Sequence, residues 1–395
     1  MPPRVAIIGG GPAGLIAADV LAPACAVDIY EQGKQIGRKF LVAGEGGLNI
    51  TNAVHGEELM RWYTPMERMR PLLEAFGPEA LRAWLCELGV PTFVGTSGRV
   101  FPERGIKPAQ VLQAIRQRLV DRGVRIHTHH ALTGFDDRGS PVVESNGDRT
   151  ALDADAVLVA LGGASWPVTG STGAWVVPFR ERGVQVNMLE PSNCGVELPM
   201  TDGLCAHAGK PLKNIGVRCG TLAVRGEATI TVHGLEGNAI YPVVPAVRAA
   251  IAAGAEAALE LDLKPDVTQK ELERRLAGAA WKERMAALKL DRPQVALLKA
   301  FTPQHRFVDG AYLAHDVKHL RIPVLGLRPI AEAISTAGGI AWDALNDDLS
   351  LNCDEHLFVA GEMIDWDAPT GGFLLQGCFS TGHAAGRGIL QRLTA

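Results

Sequence analysis

The chain opens with an apolar run, a cluster of glycines and a segment of small apolar side chains. The apolar run predicts a buried strand over residues 4–8, and the spacing beyond the glycines predicts a helix over 12–21. The next apolar run, "AVDIYEQG", predicts a second strand that ends at Glu31. The opening pattern is therefore strand, glycine turn, helix and strand.

Farther along, helix-like and strand-like segments alternate. "PAQVLQAIRQRLVDRG" has helical spacing, whereas "VRIHTHHALTGF" and "AVLVALGG" predict short strands. From about residue 188, frequent glycine and β-branched residues predict antiparallel strands, and a basic helical segment follows at about 266–300. We expect an α/β fold in which a discontinuous domain, 1–188 and 326–395, is interrupted by a β-rich inserted domain, 189–325.

The first turn has the glycine spacing Gly9-x-Gly11-x-x-Gly14. Gly9 permits a tight turn, Gly11 lets a pyrophosphate approach the backbone, and Gly14 lets the helix pack on the strand. The helix that begins at Pro12 and Ala13 offers free N–H groups and a positive dipole end to phosphates. This combination predicts a dinucleotide site.

Two acidic positions refine the choice of nucleotide. Glu31 lies 22 residues beyond Gly9, where a carboxylate accepts ribose hydroxyls and repels a 2′-phosphate, which disfavours tightly held NADP. Near the other end, Asp365 in "GEMIDWDAPTGG" is placed to accept from a ribityl or ribose hydroxyl, although a plain turn or cap carboxylate is the alternative. A helix that starts after Gly371 suits the C2 carbonyl of a flavin. Together these features favour FAD over NAD.

Composition narrows the classes of protein. The chain has 395 residues, 47% hydrophobic residues and a net charge of −4, so bulk charge gives no support to general nucleic-acid binding. None of the seven cysteines forms a C-x-x-C pair. Without a signal-peptide pattern or a long uncharged apolar stretch, we expect a cytoplasmic protein with no membrane span. The oligomeric state stays open.

Over nearly its whole length the chain resembles the BaiN/RdsA-type (YhiN-like) NAD(P)/FAD-dependent oxidoreductases. The resemblance rests on the glycine turn and on "GRKFLVAGEGGLNITN", "ALGGASWPVTGSTG", "STAGGIAW" and "GEMIDWDAPTGGFLLQGCFSTGHAAG". It implies a glutathione-reductase-type FAD-binding domain of Rossmann-like fold. The residues then expected at FAD are Gly9, Gly11, Pro12, Ala13, Gly14, Glu31, Gln32, Arg38, Lys39, Asn49, Asn52, Ala160, Gly162, Gly361, Glu362, Asp365, Gly372, Phe373, Leu374 and Leu375.

The chain departs from the family pattern in one loop. Where relatives usually read G-G-G-R-C-N, residues 44–49 read G-E-G-G-L-N, so no role tied to that arginine or cysteine carries over. The insertion contains no second glycine fingerprint that opens a βαβ unit. NADH or NADPH is therefore expected to dock transiently as the electron donor.

The candidates for catalysis are His233 and Asn49. His233 lies in "ATITVHGLEGNAIYPVV", which resembles an H-x-G-x-x-G segment of the family, and a histidine can donate a proton near neutral pH. The alternative is a histidine that only fixes a glycine turn. No metal site is expected: strand alternation predicts that His127 and His129 face one side and His130 the other.

The family implies a reductase that passes hydride from reduced flavin to an activated C=C bond, on an unidentified small molecule. A second hypothesis is an RNA-modifying flavoprotein that reduces a uracil base, with the basic residues of 270–299 clustering with Arg61, Arg68 and Arg70. Interleaved acidic residues favour instead a solvated helix face with i,i+4 pairs. A third hypothesis is a flavin-binding redox protein without turnover.

Overall fold

The computed structural model describes residues 1–43, 47–280 and 283–394. The chain divides into two compact units. The first combines Met1–Glu190 with Ser335–Ala395, and the second is Pro191–Ile334. The first unit contains every residue expected at FAD.

The helices and strands follow the chain in three stretches. The first stretch contains β1 (Arg4–Ile8), α1 (Pro12–Leu21), β2 (Ala26–Glu31), α2 (Arg38–Ala43), β3 (Thr51–Asn52), α3 (Gly56–Met60), α4 (Met66–Ala75), α5 (Pro78–Glu87), β4 (Thr92–Val94), β5 (Arg99–Pro102), α6 (Pro108–Asp121), β6 (Arg125–Thr128), β7 (Ala131–Phe135), β8 (Pro141–Ser145), β9 (Asp148–Ala151), β10 (Ala156–Val159), α7 (Val176–Glu181) and β11 (Val186–Ser192). The second contains β12 (Val196–Glu197), α8 (Asp202–Cys205), β13 (Pro211–Cys219), β14 (Leu222–Ile230), β15 (Gly234–Glu236), α9 (Val244–Ala252), β16 (Ala258–Asp262), α10 (Gln269–Ala277), α11 (Arg284–Ala287), α12 (Arg292–Phe301), α13 (Gly310–Lys318), β17 (Leu320–Pro323) and β18 (Gly326–Leu327). The third contains β19 (Ser335–Ile340), β20 (Ser350–Leu351), β21 (Asp354–Val359) and α14 (Phe373–Thr394).

The centre of the first unit is a sheet in the order β20-β21-β10-β1-β2-β6. All pairs are parallel except β20 with β21. The apolar residues of β1 and β10 are buried, as expected for strands covered on both faces. The chain leaves β1 toward β2 on one side and later places β10 on the other, which creates a topological switch point at the carboxyl ends of β1 and β10.

Small residues bring α14 against α1 beside this switch point. A Cβ on Gly382 would lie 2.2 Å from the carbonyl oxygen of Ala13, so only glycine fits there. A Cβ on Gly386 would lie 3.3 Å from Cα of Ala17. The two helices therefore pack backbone to backbone and run in the same direction.

The second unit has its own antiparallel sheet, in the order β17-β16-β13-β14-β15-β12-β18, and its own core. Its helices α10, α11 and α12 fall within the segment expected to be helical. The sequence analysis places the return to the first domain at residue 326. That position is too early, because β18 (Gly326–Leu327) pairs with β12 of the second unit's sheet. At the two ends of the unit, the N–H of Ile334 donates to the carbonyl of Asn193 at 3.2 Å.

The expected alternation of the three histidines is wrong. β6 ends at Thr128, and His129 adopts a left-handed backbone conformation with φ 60°. The rings of His127 and His130 consequently lie 5.8 Å apart, and both contact Tyr30. His127 Nε2 forms a hydrogen bond with Asp28 at 2.7 Å. The two histidines therefore belong to a local cluster with Tyr30 and Asp28. Within the described ranges, no group of histidine, cysteine and carboxylate side chains could hold a metal ion.

None of the described helices combines the length and the apolar character that crossing a bilayer requires.

Candidate active site

The turn after β1 is built around backbone contacts that exclude side chains. A Cβ on Gly9 would lie 2.3 Å from the carbonyl oxygen of Ala160, and one on Gly14 would lie 2.1 Å from that of Gly9. Gly11 differs, because a Cβ there would meet no atom of the described residues within 4 Å. It caps α1, whose first residue is Pro12, and no side chain in the described part of the chain satisfies the cap. The free N–H groups at this helix start and the open space over Gly11 fit a pyrophosphate.

The carboxylate of Glu31 is fixed at the end of β2. Its Oε2 accepts the N–H of Gly10 at 2.9 Å, and its Oε1 accepts the N–H of Gly33 at 2.7 Å. Each oxygen retains a lone pair, so the group can still accept two ribose hydroxyls. The neighbouring Gln32 is exposed and donates its side-chain N–H to the carbonyl of Gly170.

Lys39 and Glu362 form an ion pair that joins distant parts of the chain. Lys39 Nζ lies 2.9 Å from Glu362 Oε2 and donates to Ser165 Oγ at 2.7 Å. The side chains are 27% and 12% exposed. Glu362 Oε1 also accepts the N–H of Thr336 at 2.8 Å. The charge of Lys39 is therefore largely neutralised inside the protein.

Thr336 extends the same network to the loop after β10. Its Oγ1 accepts the N–H of Ala164 at 2.9 Å and that of Ser165 at 3.0 Å. The network thus connects α2, the loop after β10, β19 and the turn after β21. The sequence predicts Lys39 and Glu362 at the site individually, but it does not indicate Ser165 or Thr336. The feature of the sequence that could have indicated Ser165 and Thr336 is their position inside the glycine-rich motifs "ALGGASWP" and "STAGGIAW".

The start of α14 is locked against β3. A Cβ on Gly372 would lie 2.3 Å from the backbone of Thr51, and Gly372 has φ 96°. Asn52 Nδ2 donates to the carbonyl of Gly371 at 3.1 Å. Thr51 Oγ1 donates to Gln376 Oε1 at 2.6 Å. Asn52 therefore holds the turn in place as well as lying in the expected loop.

The first residues of α14 contribute apolar surface. Phe373 is buried, and its carbonyl accepts the hydroxyl proton of Tyr63 at 2.7 Å. Leu374 and Leu375 are partly buried. In the same helix, burial raises the pKa of the Cys378 thiol to about 12, with a further contribution from Glu362. Cys378 therefore stays a thiol at neutral pH and is a poor nucleophile.

Asn49 carries an unsatisfied group. Its Oδ1 is buried and accepts no hydrogen bond within the described part of the chain. A buried amide oxygen normally has a donor, so this atom fits an N–H of a bound ligand. Residues 44–46 of the same loop lie outside the described residues, whereas Leu48, at the position of the family's cysteine, is buried. Arg38, at the start of α2, is exposed.

Further hydrogen bonds fix the loops after β10 and β21. Ala160 is buried, and the carbonyl of Gly162 accepts from Trp175 Nε1 at 2.8 Å. The N–H of Gly361 donates to Thr381 Oγ1 at 2.9 Å. Asp365 Oδ2 accepts from Asn187 Nδ2 at 2.7 Å, which leaves its other oxygen for a further donor.

His233 lies in the second unit, in the exposed turn between β14 and β15. Thr231 Oγ1 accepts the N–H groups of His233 and Gly234 at 3.1 and 3.0 Å. The threonine hydroxyl, and not the imidazole, therefore fixes this glycine turn. The catalytic role of His233 stays a prediction.

The basic segment of the second unit forms local ion pairs. Glu271 contacts both Arg274 and Arg275, at 2.8 and 2.9 Å, and their hydrogen bonds lower its pKa to about 2. In the first unit Arg68 pairs with Asp343, and Arg70 pairs with Glu57. Lys282 lies outside the described residues. The two pairs of Glu271 match the local charge pairing that the sequence predicts for this helix face.

Comparison with known proteins identifies the family. The model of the HI0933-like protein Rossmann domain matches residues 3–388. The chain belongs to the HI0933-like family. It is 24% identical to a 3-dehydro-bile acid delta(4,6)-reductase of Clostridium scindens, over 98% of this chain and 99% of the relative. It is 22% identical to a ribosomal RNA dihydrouridine synthase of Haemophilus influenzae, over 98% of each.

A solved structure supports the fold of this HI0933-like protein. The 3-ketosteroid delta1-dehydrogenase from Sterolibacterium denitrificans aligns with a TM-score of 0.54 and 13% identity, over 98% of this chain and 99% of the dehydrogenase. The family resemblance and the expected Rossmann-like α/β fold are confirmed.

Proposed function

We propose that this protein is an FAD-dependent oxidoreductase that reduces an activated C=C bond of a small molecule, with NADH or NADPH as a transient donor. The observation that carries the binding of FAD is Gly11, over which a pyrophosphate has room at a helix start without a side-chain cap among the described residues. The ribose would then be bound by Glu31, and the flavin ring by Asn49 and the residues around Gly372.

The two curated relatives support the reaction class. Their names, a delta(4,6)-reductase and a dihydrouridine synthase, both describe reduction of a C=C bond. The second relative acts on RNA, so an RNA substrate is the competing proposal. The net charge of −4 and the local pairing of Arg274 and Arg275 with Glu271 give RNA little electrostatic attraction, which favours the small molecule.

When bound, FAD supplies hydride transfer between the nicotinamide and the double bond. The residues of the chain position it. Glu31 accepts ribose hydroxyls, the start of α1 binds the pyrophosphate, and Asn49 accepts an N–H of the flavin ring. The network of Lys39 and Glu362 holds the surrounding loops in one arrangement. His233 stays the candidate proton donor on the resemblance of its segment, "ATITVHGLEGNAIYPVV", to that of the family.

The test is anaerobic mixing of purified yellow protein with NADH or NADPH, followed by an enone or by RNA. We expect bleaching of the flavin absorbance, then reoxidation that depends on the enone. Reoxidation by RNA alone would replace the small-molecule proposal with the RNA proposal. Protein that neither contains FAD nor takes it up would overturn the function itself.

A further inference from the structure

Arg99 lies on the partly exposed face of a small sheet formed by β3, β5 and β4. Along β5, Arg99 and Phe101 are half-buried, whereas Val100 and Pro102 are buried. Arg99 is directly opposite Asn52 of β3. The side chain thus projects from the strand next to the loop proposed to lie beside the flavin.

The guanidinium of Arg99 reaches the turn before α14. Its Nε lies 3.9 Å from the position that a Cβ on Gly371 would occupy. Asn52, the neighbour of Arg99 across the sheet, donates to the carbonyl of Gly371. Two adjacent residues of one sheet therefore lie beside the same turn: Asn52 forms a hydrogen bond to it, and Arg99 has its charged group next to it.

Arg99 and Lys39 differ in whether a carboxylate compensates their positive charge. Lys39 is neutralised by Glu362 at 2.9 Å. No carboxylate or other acceptor among the described residues pairs with Arg99. A guanidinium stays charged at every accessible pH, and its partial burial reduces the screening of that charge by water. Arg99 is therefore the basic side chain that can act on negative charge arising at the Gly371 turn.

We propose that Arg99 is a catalytic residue that stabilises negative charge on the N1 and C2-oxygen edge of the reduced flavin. This inference rests on the proposed function. One proton and two electrons arrive at flavin N5 as a hydride, so the opposite edge gains one negative charge. Arg99 pairs with that charge without gaining or losing a proton. The proton and electrons leave again as hydride to the substrate.

The test uses the FAD-containing protein and its Arg99→Met, Arg99→Lys and Arg99→Gln variants. Sulfite adds to N5 of an oxidised flavin and places negative charge on the same edge, so sulfite titration measures the stabilisation directly. We expect Arg99→Met to weaken sulfite binding about tenfold or more and to lower the midpoint potential. Arg99→Lys should retain most of both. The matched control is Arg104→Met, an exposed arginine in the turn after β5, which should change neither.

The outcomes separate this inference from the proposed function. Unchanged sulfite affinity and potential in Arg99→Met overturn the role of Arg99 while FAD binding stands. Wild-type protein without FAD overturns the proposed function. If Arg99→Met fails to retain FAD, Arg99→Gln, which keeps a polar side chain, provides the same comparison. A lysine variant as weak as the methionine variant would also contradict a role for charge.

Discussion

Lys39 and Glu362 are separated by 323 residues, yet their charged groups lie 2.9 Å apart. Both side chains are mostly withdrawn from water, so each charge depends on the other for compensation. Glu362 also accepts from the backbone of Thr336, which makes it the member with more partners. Loss of its charge should therefore affect both folding and the site.

We expect Glu362→Gln to lower the free energy of unfolding by about 2 kcal/mol, because Lys39 loses its carboxylate while the shape is kept. FAD retention should also fall, since the loops after β10 and β21 lose a common partner. Urea denaturation and dialysis against buffer measure the two effects.

Asp153→Asn is the control for this variant. Asp153 pairs with Arg4, but the two side chains are 88% and 54% exposed. Exposed pairs contribute little, so stability and FAD retention should both stay unchanged. Equal effects of the two substitutions would contradict the importance of the Lys39–Glu362 pair.

The sequence predicts Lys39 and Glu362 as separate site residues, but it does not predict the contact between them. Lys39 and Glu362 each belong to a recognisable motif, whereas nothing in either motif indicates that they pair. Arg99 lies outside every motif, and only the pairing of β3 with β5 places it at the Gly371 turn. Contacts between distant segments depend on tertiary packing, which local patterns do not encode.

At the scale of elements, the glycines of the first turn have two different tasks. Gly9 and Gly14 make room for neighbouring backbone, whereas Gly11 faces open space. Gly11 has φ −83°, which alanine adopts without strain. We therefore expect folding to need Gly9 and Gly14, which contact backbone, but not Gly11.

We expect Gly11→Ala to fold with unchanged stability but to lose FAD, because its methyl group fills the space proposed for the pyrophosphate. Gly14→Ala should destabilise the protein even without FAD, because its Cβ would lie 2.1 Å from a carbonyl oxygen. Thermal melts of the FAD-free proteins and FAD titration separate the two effects. Tight FAD binding by Gly11→Ala would contradict the assigned site.

Element prediction succeeds where a pattern is long and uniform. β1, α1 and β2 have the expected bounds because an apolar run, a glycine turn and a second apolar run leave few alternatives. It fails for the histidines, since alternation holds only while the strand continues and β6 ends at Thr128. Composition alone gives no sign of that end.

At the scale of the whole molecule, each unit has a separate hydrophobic core. We expect residues 191–334, expressed alone, to fold and to unfold cooperatively, because the unit keeps its sheet and core. Leu261, fully buried in β16, offers the control: Leu261→Ala should cost about 2–5 kcal/mol. Circular dichroism with urea tests both, and an unfolded fragment would show that the unit depends on the remainder of the chain.

The hydrogen bond between Asn193 and Ile334 shows that the two ends of the second unit lie next to each other. A short linker could therefore close the gap at little entropic cost. We therefore expect that the second unit can be exchanged or remodelled without a change in the strand order of the first unit. The same property makes this junction a natural place to build chimaeras between family members.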